Sequence, residues 1–166
     1  MLTAFLEKFA FSGYFANNFE RKGLASFYKT PPDHLEKVVM PTYTLIRMQV
    51  HFCQRIQIIY AYLHDSAKFD DYIWPIRSWT DNCEYPTAVI GDMNFHYPEN
   101  HQMKTLMENN GFKQLIKKPT HDMGHILDHI YVNAYLRDMG VEIYQKAVHF
   151  TDHDVIFLKI KDQYFT

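Results

Sequence analysis

Runs and alternations of apolar residues predict a chain built largely of β-strands. Segments such as RIQIIYAY at 55–62 and TAVI at 87–90 are rich in the branched and aromatic residues that pack well on a pleated sheet. The strand at 42–50 comes so soon before the one at 55–62 that we expect a hairpin around 51–54. The predicted strands are 11–15, 24–28, 42–50, 55–62, 87–90, 112–116, 126–132, 141–148 and 154–160.

Three other segments place apolar residues every three or four positions, which is the spacing of one helix face. They are residues 1–9, a segment that begins at Ser66, and residues 101–109. We expect Ser66 to cap the second helix, and Pro75 to kink or shorten it because proline cannot donate a backbone hydrogen bond. The pair Asn110-Gly111 is a typical end signal for the third helix.

The order of these elements predicts one mixed α/β domain across residues 1–166, with sheets covered by helices. Hydrophobic residues make up 47% of the chain, which is enough for a sizeable core. No apolar run approaches the roughly 18 residues of a membrane span, and we expect no signal peptide. Cys53 and Cys83 lack CxxC spacing, so we expect reduced thiols and an intracellular protein of the cytoplasm or nucleus. The formal charge of −2 argues against a strongly basic surface but is compatible with a local basic patch.

Residue types suited to catalysis first gather at 91–94, where the sequence GDMN directly follows a predicted strand. Gly91 lets the backbone turn and approach a ligand, Asp92 can deprotonate a water molecule, and Asn94 can donate its amide to a phosphate oxygen. The same residue types also favour an ordinary β-turn with local hydrogen bonds. Alone, this block favours the turn over a functional site.

A second block, Thr151-Asp152-His153, precedes the apolar run VIFL at 155–158. His153 can act as a general base or as a cationic stabiliser of a phosphorane if a carboxylate orients it, and Asp128 is the obvious carboxylate at another strand end. Asp152 would then be available to a divalent cation. Taken alone, this block is equally compatible with a surface turn. Three such blocks at strand ends favour one pocket for metal-assisted attack of water on a phosphate.

Histidines at 121, 125 and 129 stand four positions apart, a spacing that would align them for zinc on a helix. Gly124 and the β-branched residues nearby favour loop and strand instead. We therefore do not expect this spacing to make a zinc site.

Together the blocks resemble the endonuclease/exonuclease/phosphatase superfamily, whose fold is that of deoxyribonuclease I. That superfamily carries a strand ending in Gly-Asp-x-Asn, a later Asp in an Asp-His-Ile context, and a Ser-Asp-His before the last strand. Here these are residues 91–94, 127–130 and 151–153, with threonine in place of the serine. The stretch 111–121, which ends in Pro-Thr-His, also resembles retroelement-type endonucleases. The resemblance covers about residues 20–161.

This resemblance implies an α/β (α+β) fold, namely a four-layer α/β/β/α sandwich of two mainly antiparallel sheets. It also implies a metal-dependent phosphodiester hydrolase that uses Mg²⁺ or Mn²⁺. The expected partner is nucleic acid, DNA first, although relatives also act on RNA, inositol phosphates and sphingolipids. Tyr60, near the end of RIQIIYAY, matches a position that often contacts the phosphate.

The resemblance also assigns roles to the polar residues of the three blocks. By it, Asp92 activates the attacking water and Asn94 holds the scissile phosphate. His153, steered by Asp128, stabilises the transition state or shuttles a proton. Asp152 helps to bind the metal.

The chain departs from the superfamily pattern at its N-terminus. The superfamily begins with a strand that carries an Asn, followed by a strand that carries a metal-binding Glu, and neither motif is found. Glu7 is the only acidic residue before Glu20, and it lies in a helix-like pattern. We therefore expect a partial domain that lacks its N-terminal strands. The alternative function is a catalytically impaired remnant or binding fragment of such a domain, and the sequence does not indicate its oligomeric state.

Overall fold

The computed structural model describes residues 12–18, 22–28, 31–51 and 54–161, with side chains for the last two ranges. The predicted helix at 1–9 lies outside the described residues. The strands are β1 Ser12–Asn18, β2 Lys22–Tyr28, β3 His34–Met40, β4 Tyr43–His51, β5 Arg55–Leu63, β6 Thr87–Asp92, β7 Lys113–Gln114, β8 Asp128–Val132, β9 Val141–Lys146 and β10 Val155–Ile160. The helices are α1 Phe69–Thr80, α2 Gln102–Asn109 and α3 Ala134–Asp138.

Six of the strands form one large sheet in the order β3-β4-β5-β6-β8-β7. Neighbouring strands are antiparallel except β5 and β6, which are parallel and are connected through α1. The predicted hairpin between the strands near 42–50 and 55–62 is the β4–β5 pair. A mixed α/β fold with a large, mainly antiparallel sheet is therefore confirmed.

Both faces of this sheet are covered. Helices α1 and α2 pack on one face, in a core that includes Leu45, Ile59, Tyr72, Ile76, Met103 and Met107. The antiparallel hairpin β9–β10 packs on the other face, in a core that includes Ile130, Val132, Ile143, Ile156 and Leu158. Strands β1 and β2 form a further two-stranded sheet, and β2 lies against β4 and β5. None of the three helices in the described part of the chain has the length and apolar composition needed to cross a membrane.

Side chains along β8 alternate between the two faces of the sheet, and this alternation decides which of them face the loop before β10. Asp128, Ile130 and Val132 point to the face that carries β9–β10, whereas His129 and Tyr131 point to the helices. Asp128 is therefore on the same side as the loop that leads into β10. That loop carries His153.

The predicted cap of α1 is wrong. The helix begins after Lys68 rather than at Ser66, whose hydroxyl instead lies 2.7 Å from Nδ1 of His64 in the preceding turn. The N–H of Lys68 donates to the carboxylate of Asp71 at 3.3 Å, so a side chain from the first helical turn satisfies it. Pro75 lies within α1, which runs from Phe69 to Thr80, 12 residues in all, so the proline does not end the helix.

Candidate active site

Two carboxylates stand opposite each other on strands β6 and β8. Asp92 is the last residue of β6, Asp128 is the first of β8, and the antiparallel register pairs them directly. Side chains opposite each other in such a pair have Cβ atoms about 5 Å apart, so each negative charge raises the cost of the other. The sheet itself thus brings together two of the residues singled out from the sequence.

His153 reaches this carboxylate pair from the loop before β10. Its Nδ1 lies 2.8 Å from Oδ2 of Asp128, and both side chains are partly buried. Burial disfavours the charged imidazole, but the hydrogen bond and the charge of Asp128, followed by the charges of Asp92 and Asp152, outweigh it and raise the pKa of His153. Because Nδ1 is engaged with Asp128, Nε2 is the nitrogen that can exchange a proton with a substrate.

Burial and charge give Asp92 an unusual basicity for an aspartate. Burial is the largest cause, the charge of Asp128 adds to it, and together they raise the pKa of Asp92 to about 6. The N–H of Asn94 and the charges of His153 and His121 act in the opposite direction. A carboxylate with this pKa is ionised at neutral pH and accepts a proton more readily than an ordinary aspartate. Asp92 therefore has the properties required of a general base.

Asn94 holds the carboxylate of Asp92 in place. Its backbone N–H donates to Oδ1 of Asp92 at 3.0 Å, and its side-chain amide donates to Oδ2 at 3.2 Å and to the carbonyl of Leu63 at 2.6 Å. The residue has a left-handed φ of 51°, which asparagine adopts more readily than most residues. Since both amide hydrogens are engaged, a phosphate contact would have to replace one of these bonds, and the longer one to Asp92 is the weaker.

Gly91 makes the close packing of β6 on β5 possible. Its φ is 141°, and an added Cβ would lie 1.9 Å from the carbonyl oxygen of Ala61 on β5. No side chain can be accommodated at this distance. Glycine is thus required at this position by the backbone that presents Asp92.

Thr120 positions Asp128, a role that its place in the Pro-Thr-His stretch does not reveal. The residue is fully buried, and its hydroxyl accepts the backbone N–H groups of Leu127 and Asp128, each at 3.1 Å. Its carbonyl accepts the N–H of Asp154 at 2.8 Å. Thr120 therefore ties the start of β8 to the loop that carries His153.

A cavity of about 230 Å³ opens beside Asp128. Tyr60 lines it from β5, together with apolar residues of β6 and β10. Tyr62 is paired with Asp92 in the β5–β6 register, and burial, followed by the charge of Asp92, raises the pKa of Tyr62. A cleft of about 600 Å³ between α1 and α2 is larger, but no carboxylate or histidine is among the described residues that line it. The smaller cavity is therefore the one beside the residues that the sequence singles out.

The histidines spaced four apart do not converge. His121 and His125 lie in the loop before β8, whereas His129 is buried within β8 on the face toward the helices. Nε2 of His129 lies 3.1 Å from the carbonyl of Phe95 and 3.2 Å from that of Ile126. Burial lowers the pKa of His129 to about 4, although both of these contacts act against the shift. Loop and strand are found here, as the residue types predict.

No protein-family model and no curated protein sequence matches the chain. Solved structures do match. The endonuclease domain of TRAS1, a telomere-specific non-LTR retrotransposon, is 14% identical and gives a TM-score of 0.66 over 92% of this chain and 79% of that chain. A 3′ phosphatase from Neisseria bound to a product DNA hairpin is 12% identical, with a TM-score of 0.72 over 97% and 83%. The human Nocturnin catalytic domain with a bound sulfate anion is 13% identical, with a TM-score of 0.68 over 96% and 76%.

The fold is that of the endonuclease/exonuclease/phosphatase superfamily. The resemblance carried by the three sequence blocks is confirmed at this level. Because the identities are low, the similarity shows the fold, and the chemistry of this chain has to be inferred from its own residues.

Proteins with this fold typically depend on a divalent cation. In this chain, Asp152 belongs to a group of three side chains that offer metal ligands. The ligand atoms of His121, Asp152 and His153 lie within 4.8 Å of one another. As one exposed carboxylate, Asp152 fits Mg²⁺ or Mn²⁺, since such ions keep several waters and take further oxygens from a substrate phosphate. The two imidazoles suit Mg²⁺ poorly, so the complete group does not fit a magnesium site.

Proposed function

We propose that the protein is a metal-dependent phosphodiester hydrolase of nuclease type. The observation that carries this proposal is the 2.8 Å contact between His153 and Asp128, beside Asp92 with its pKa of about 6. Asp128 thus has on one side an imidazole whose pKa is raised and on the other a carboxylate that accepts a proton more readily than an ordinary aspartate. Such pairs of groups in contrasting environments are how enzymes assign an acid and a base at neutral pH.

In the proposed reaction, water attacks the phosphorus in line with the leaving oxygen. Asp92 takes a proton from the attacking water, and Nε2 of His153 gives a proton to the leaving oxygen as the P–O bond breaks. Asp128 holds the imidazole in orientation and stabilises its positive charge. Asn94 contacts the phosphate by exchanging its bond to Asp92, and the Tyr60 hydroxyl contacts it from the cavity wall.

Asp152 is the proposed metal ligand. A backbone hydrogen bond is the main reason why the pKa of Asp152 is lowered, so the carboxylate is ionised at any pH at which the enzyme would work. A Mg²⁺ or Mn²⁺ held there would withdraw charge from the phosphate during the attack.

DNA is the proposed substrate. Two of the similar structures are the endonuclease domain of a retrotransposon and a phosphatase bound to a DNA hairpin, which supports nucleic acid for this chain as well. Lys117 and Lys118 are exposed in the loop that leads to Thr120, where they can face a phosphate backbone. The free thiol of Cys83 agrees with the reducing interior of a cell as the place of action.

The test is nicking of supercoiled plasmid with Mg²⁺ or Mn²⁺. His153→Ala and Asp92→Asn should each lower the nicking rate by at least about 100-fold, the usual loss for an acid or base. Asp122→Asn removes an exposed carboxylate from the neighbouring loop and is the matched control, for which we expect the wild-type rate.

Three outcomes would change the conclusion. Nicking at the wild-type rate in His153→Ala would show that His153 is not the acid of the reaction. Plasmid binding without nicking would support the alternative, an impaired binding fragment of this fold. Cleavage of RNA or of bis(p-nitrophenyl) phosphate without cleavage of DNA would support phosphodiester hydrolysis but contradict DNA as the substrate.

A further inference from the structure

His121 and His153 are held side by side by the backbone of two loops. The two residues form an isolated antiparallel bridge. Two hydrogen bonds flank it: Asp122 N–H to the carbonyl of Asp152 at 2.9 Å, and Asp154 N–H to the carbonyl of Thr120 at 2.8 Å. This is the bridge geometry in which opposite side chains approach most closely, and the two imidazole rings stand edge to face with centroids 4.9 Å apart. Two nitrogen donors are thus brought together before any ligand binds.

Asp152 adds an oxygen donor to this pair. Its Oδ2 lies 3.3 Å from Nε2 of His121, close to the separation of about 3.4 Å between two ligands on a tetrahedral zinc with bonds of about 2.1 Å. The remaining ligand atoms, all within 4.8 Å of one another, need a modest approach. Rotation of the exposed Asp152 side chain can shorten its own distances, and rotation of the His121 ring, which gives up its bond to Met123, can shorten the distance to His153. The exposure of Asp152 also leaves an open path for an ion.

Asp128 already supports His153 in the way that carboxylates support metal-binding histidines. It accepts a hydrogen bond from Nδ1 at 2.8 Å, which places the lone pair of the neutral ring on Nε2. The arrangement that prepares Nε2 for proton transfer therefore also prepares it for a metal.

His121 has to change its tautomer to join. Its Nδ1 accepts the N–H of Met123 at 3.1 Å, so the proton of the neutral ring lies on Nε2, next to Asp152. Binding a metal through Nε2 moves this proton to Nδ1 and breaks the bond to Met123. That loss is small compared with three metal–ligand bonds, because Met123 lies in an exposed turn whose amide can turn to water.

We propose that His121, Asp152 and His153 bind one Zn²⁺, and that the bound zinc inhibits the enzyme by occupying Nε2 of His153. Two imidazoles, one carboxylate and a water are a common tetrahedral set for zinc, whereas Mg²⁺ prefers oxygens alone. Zinc binding stands on the geometry of the three side chains, and only the inhibition rests on the proposed function. His121 has no step in the proposed reaction, but it lies 3.3 Å from Asp152 and its charge acts on the pKa of Asp92. The effect of zinc is therefore read in each variant against the same variant without zinc.

The binding test is calorimetric titration of metal-free protein, without an affinity tag, with zinc chloride. Wild-type protein should bind one Zn²⁺ per chain, and His121→Ala and His121→Gln should each weaken binding by at least about tenfold. His125→Ala, which removes an exposed histidine of the same loop, should bind as the wild type does. Melting curves of the metal-free proteins establish that the variants are folded.

The inhibition test repeats plasmid nicking in Mg²⁺ with and without added zinc. Zinc should stop the wild-type enzyme, whereas His121→Ala should keep most of the rate that this variant has without zinc. If the wild type does not bind zinc, or if His121→Ala binds it equally well, the zinc site is overturned. The proposed hydrolase function is not affected by that result. If His121→Ala weakens zinc binding but the wild-type protein does not nick DNA, the zinc site is supported. The proposed function is then overturned, and the proposed inhibition with it.

Discussion

At the scale of single residues, Asp128 acts on both groups that would move protons. Its negative charge contributes to the raised pKa of Asp92 and, through a direct hydrogen bond, to the raised pKa of His153. Both effects raise a pKa, which in the proposed reaction makes Asp92 a stronger base and favours the protonated form of His153 as the acid. A single carboxylate thus raises the pKa of both Asp92 and His153.

The dependence of kcat/KM on pH should therefore be bell-shaped, and Asp128→Asn should shift it. We expect a rising limb near pH 6 from Asp92 and a falling limb above 6.5 from His153. Removing the charge of Asp128 lowers both pKa values, so both limbs should move to lower pH while the rate falls. Plasmid nicking measured across this pH range checks the shift. Glu84→Gln, an exposed control, should leave both limbs in place, and limbs that stay in place in Asp128→Asn would contradict the assignment.

Gly91→Ala should be among the most destabilising substitutions in the chain. The methyl group would lie 1.9 Å from a backbone oxygen at a φ of 141°, so strand separation and backbone strain together should cost about 3 kcal/mol or more. Gly111→Ala is the matched control, because its φ is 75° but no atom lies within 4 Å of the added Cβ. Its backbone cost should be about 1–2 kcal/mol. Urea unfolding compares the two, and equal losses would show that the contact with Ala61 is not the cause.

At the scale of elements, periodicity was sufficient where one face of an element is buried. The hairpin β4–β5, strand β6 and helix α2 all lie where their apolar spacing predicts. Strand β3 was not predicted, because HLEKVVM is an edge strand whose side chains are mostly half-buried or exposed, so it carries no clear alternation. Helix α3, with five residues, is too short to show a helical period.

Strand ends explain how much of the site could be predicted. Asp92 is the last residue of β6 and Asp128 the first of β8, so residue types beside apolar runs were enough to single out two residues that lie opposite each other. His121 could not be assigned, because its contact with His153 is a bridge between loops about 30 residues apart in sequence, and no local pattern encodes such a bridge. The same non-local contact hides the role of Thr120.

Asn133 joins three elements and offers a test at this scale. Its Oδ1 accepts the N–H of Thr87 at 3.0 Å and that of Leu136 at 3.1 Å, and its Nδ2 donates to the carbonyl of Tyr85 at 2.8 Å. Asn133→Ala should lower the free energy of unfolding by about 3 kcal/mol, because it removes the cap of α3 and leaves buried partners unsatisfied. Asn100→Ala, at an exposed position, should change it by less than about 0.5 kcal/mol. A small loss in Asn133→Ala, measured by chemical unfolding, would show that water replaces the side chain.

At the scale of the whole molecule, two partly or fully buried groups on opposite faces of the large sheet change the free energy of unfolding in opposite directions as the pH falls. His129 faces the helices, and burial lowers its pKa from 6.5 to about 4. Asp92 faces the site, and its pKa is raised from 3.8 to about 6. Both shifts fall in the same pH range, but they act on the free energy of unfolding with opposite signs.

Between pH 6.5 and 4 the unfolded chain binds a proton at His129 that the folded chain does not, so this residue removes stability as the pH falls. The shift of about 2.5 pH units corresponds to about 3 kcal/mol at roughly 1.4 kcal/mol per unit. Between pH 6 and 3.8 the folded chain binds a proton at Asp92 that the unfolded chain does not, so Asp92 adds stability as the pH falls. Its partial exposure makes this contribution the smaller one.

Substitution should separate the two contributions. Relative to His129→Gln, the wild-type free energy of unfolding should fall by about 2–3 kcal/mol between pH 7 and pH 4. Relative to Asp92→Asn, it should rise over the same range by a smaller amount, because the wild type alone gains a proton on the folded side. Urea unfolding at several pH values measures both differences, and each variant serves as the other's control. Two differences that stay constant with pH would mean that neither group is buried in the state that unfolds, and the basicity assigned to Asp92 would be lost with them.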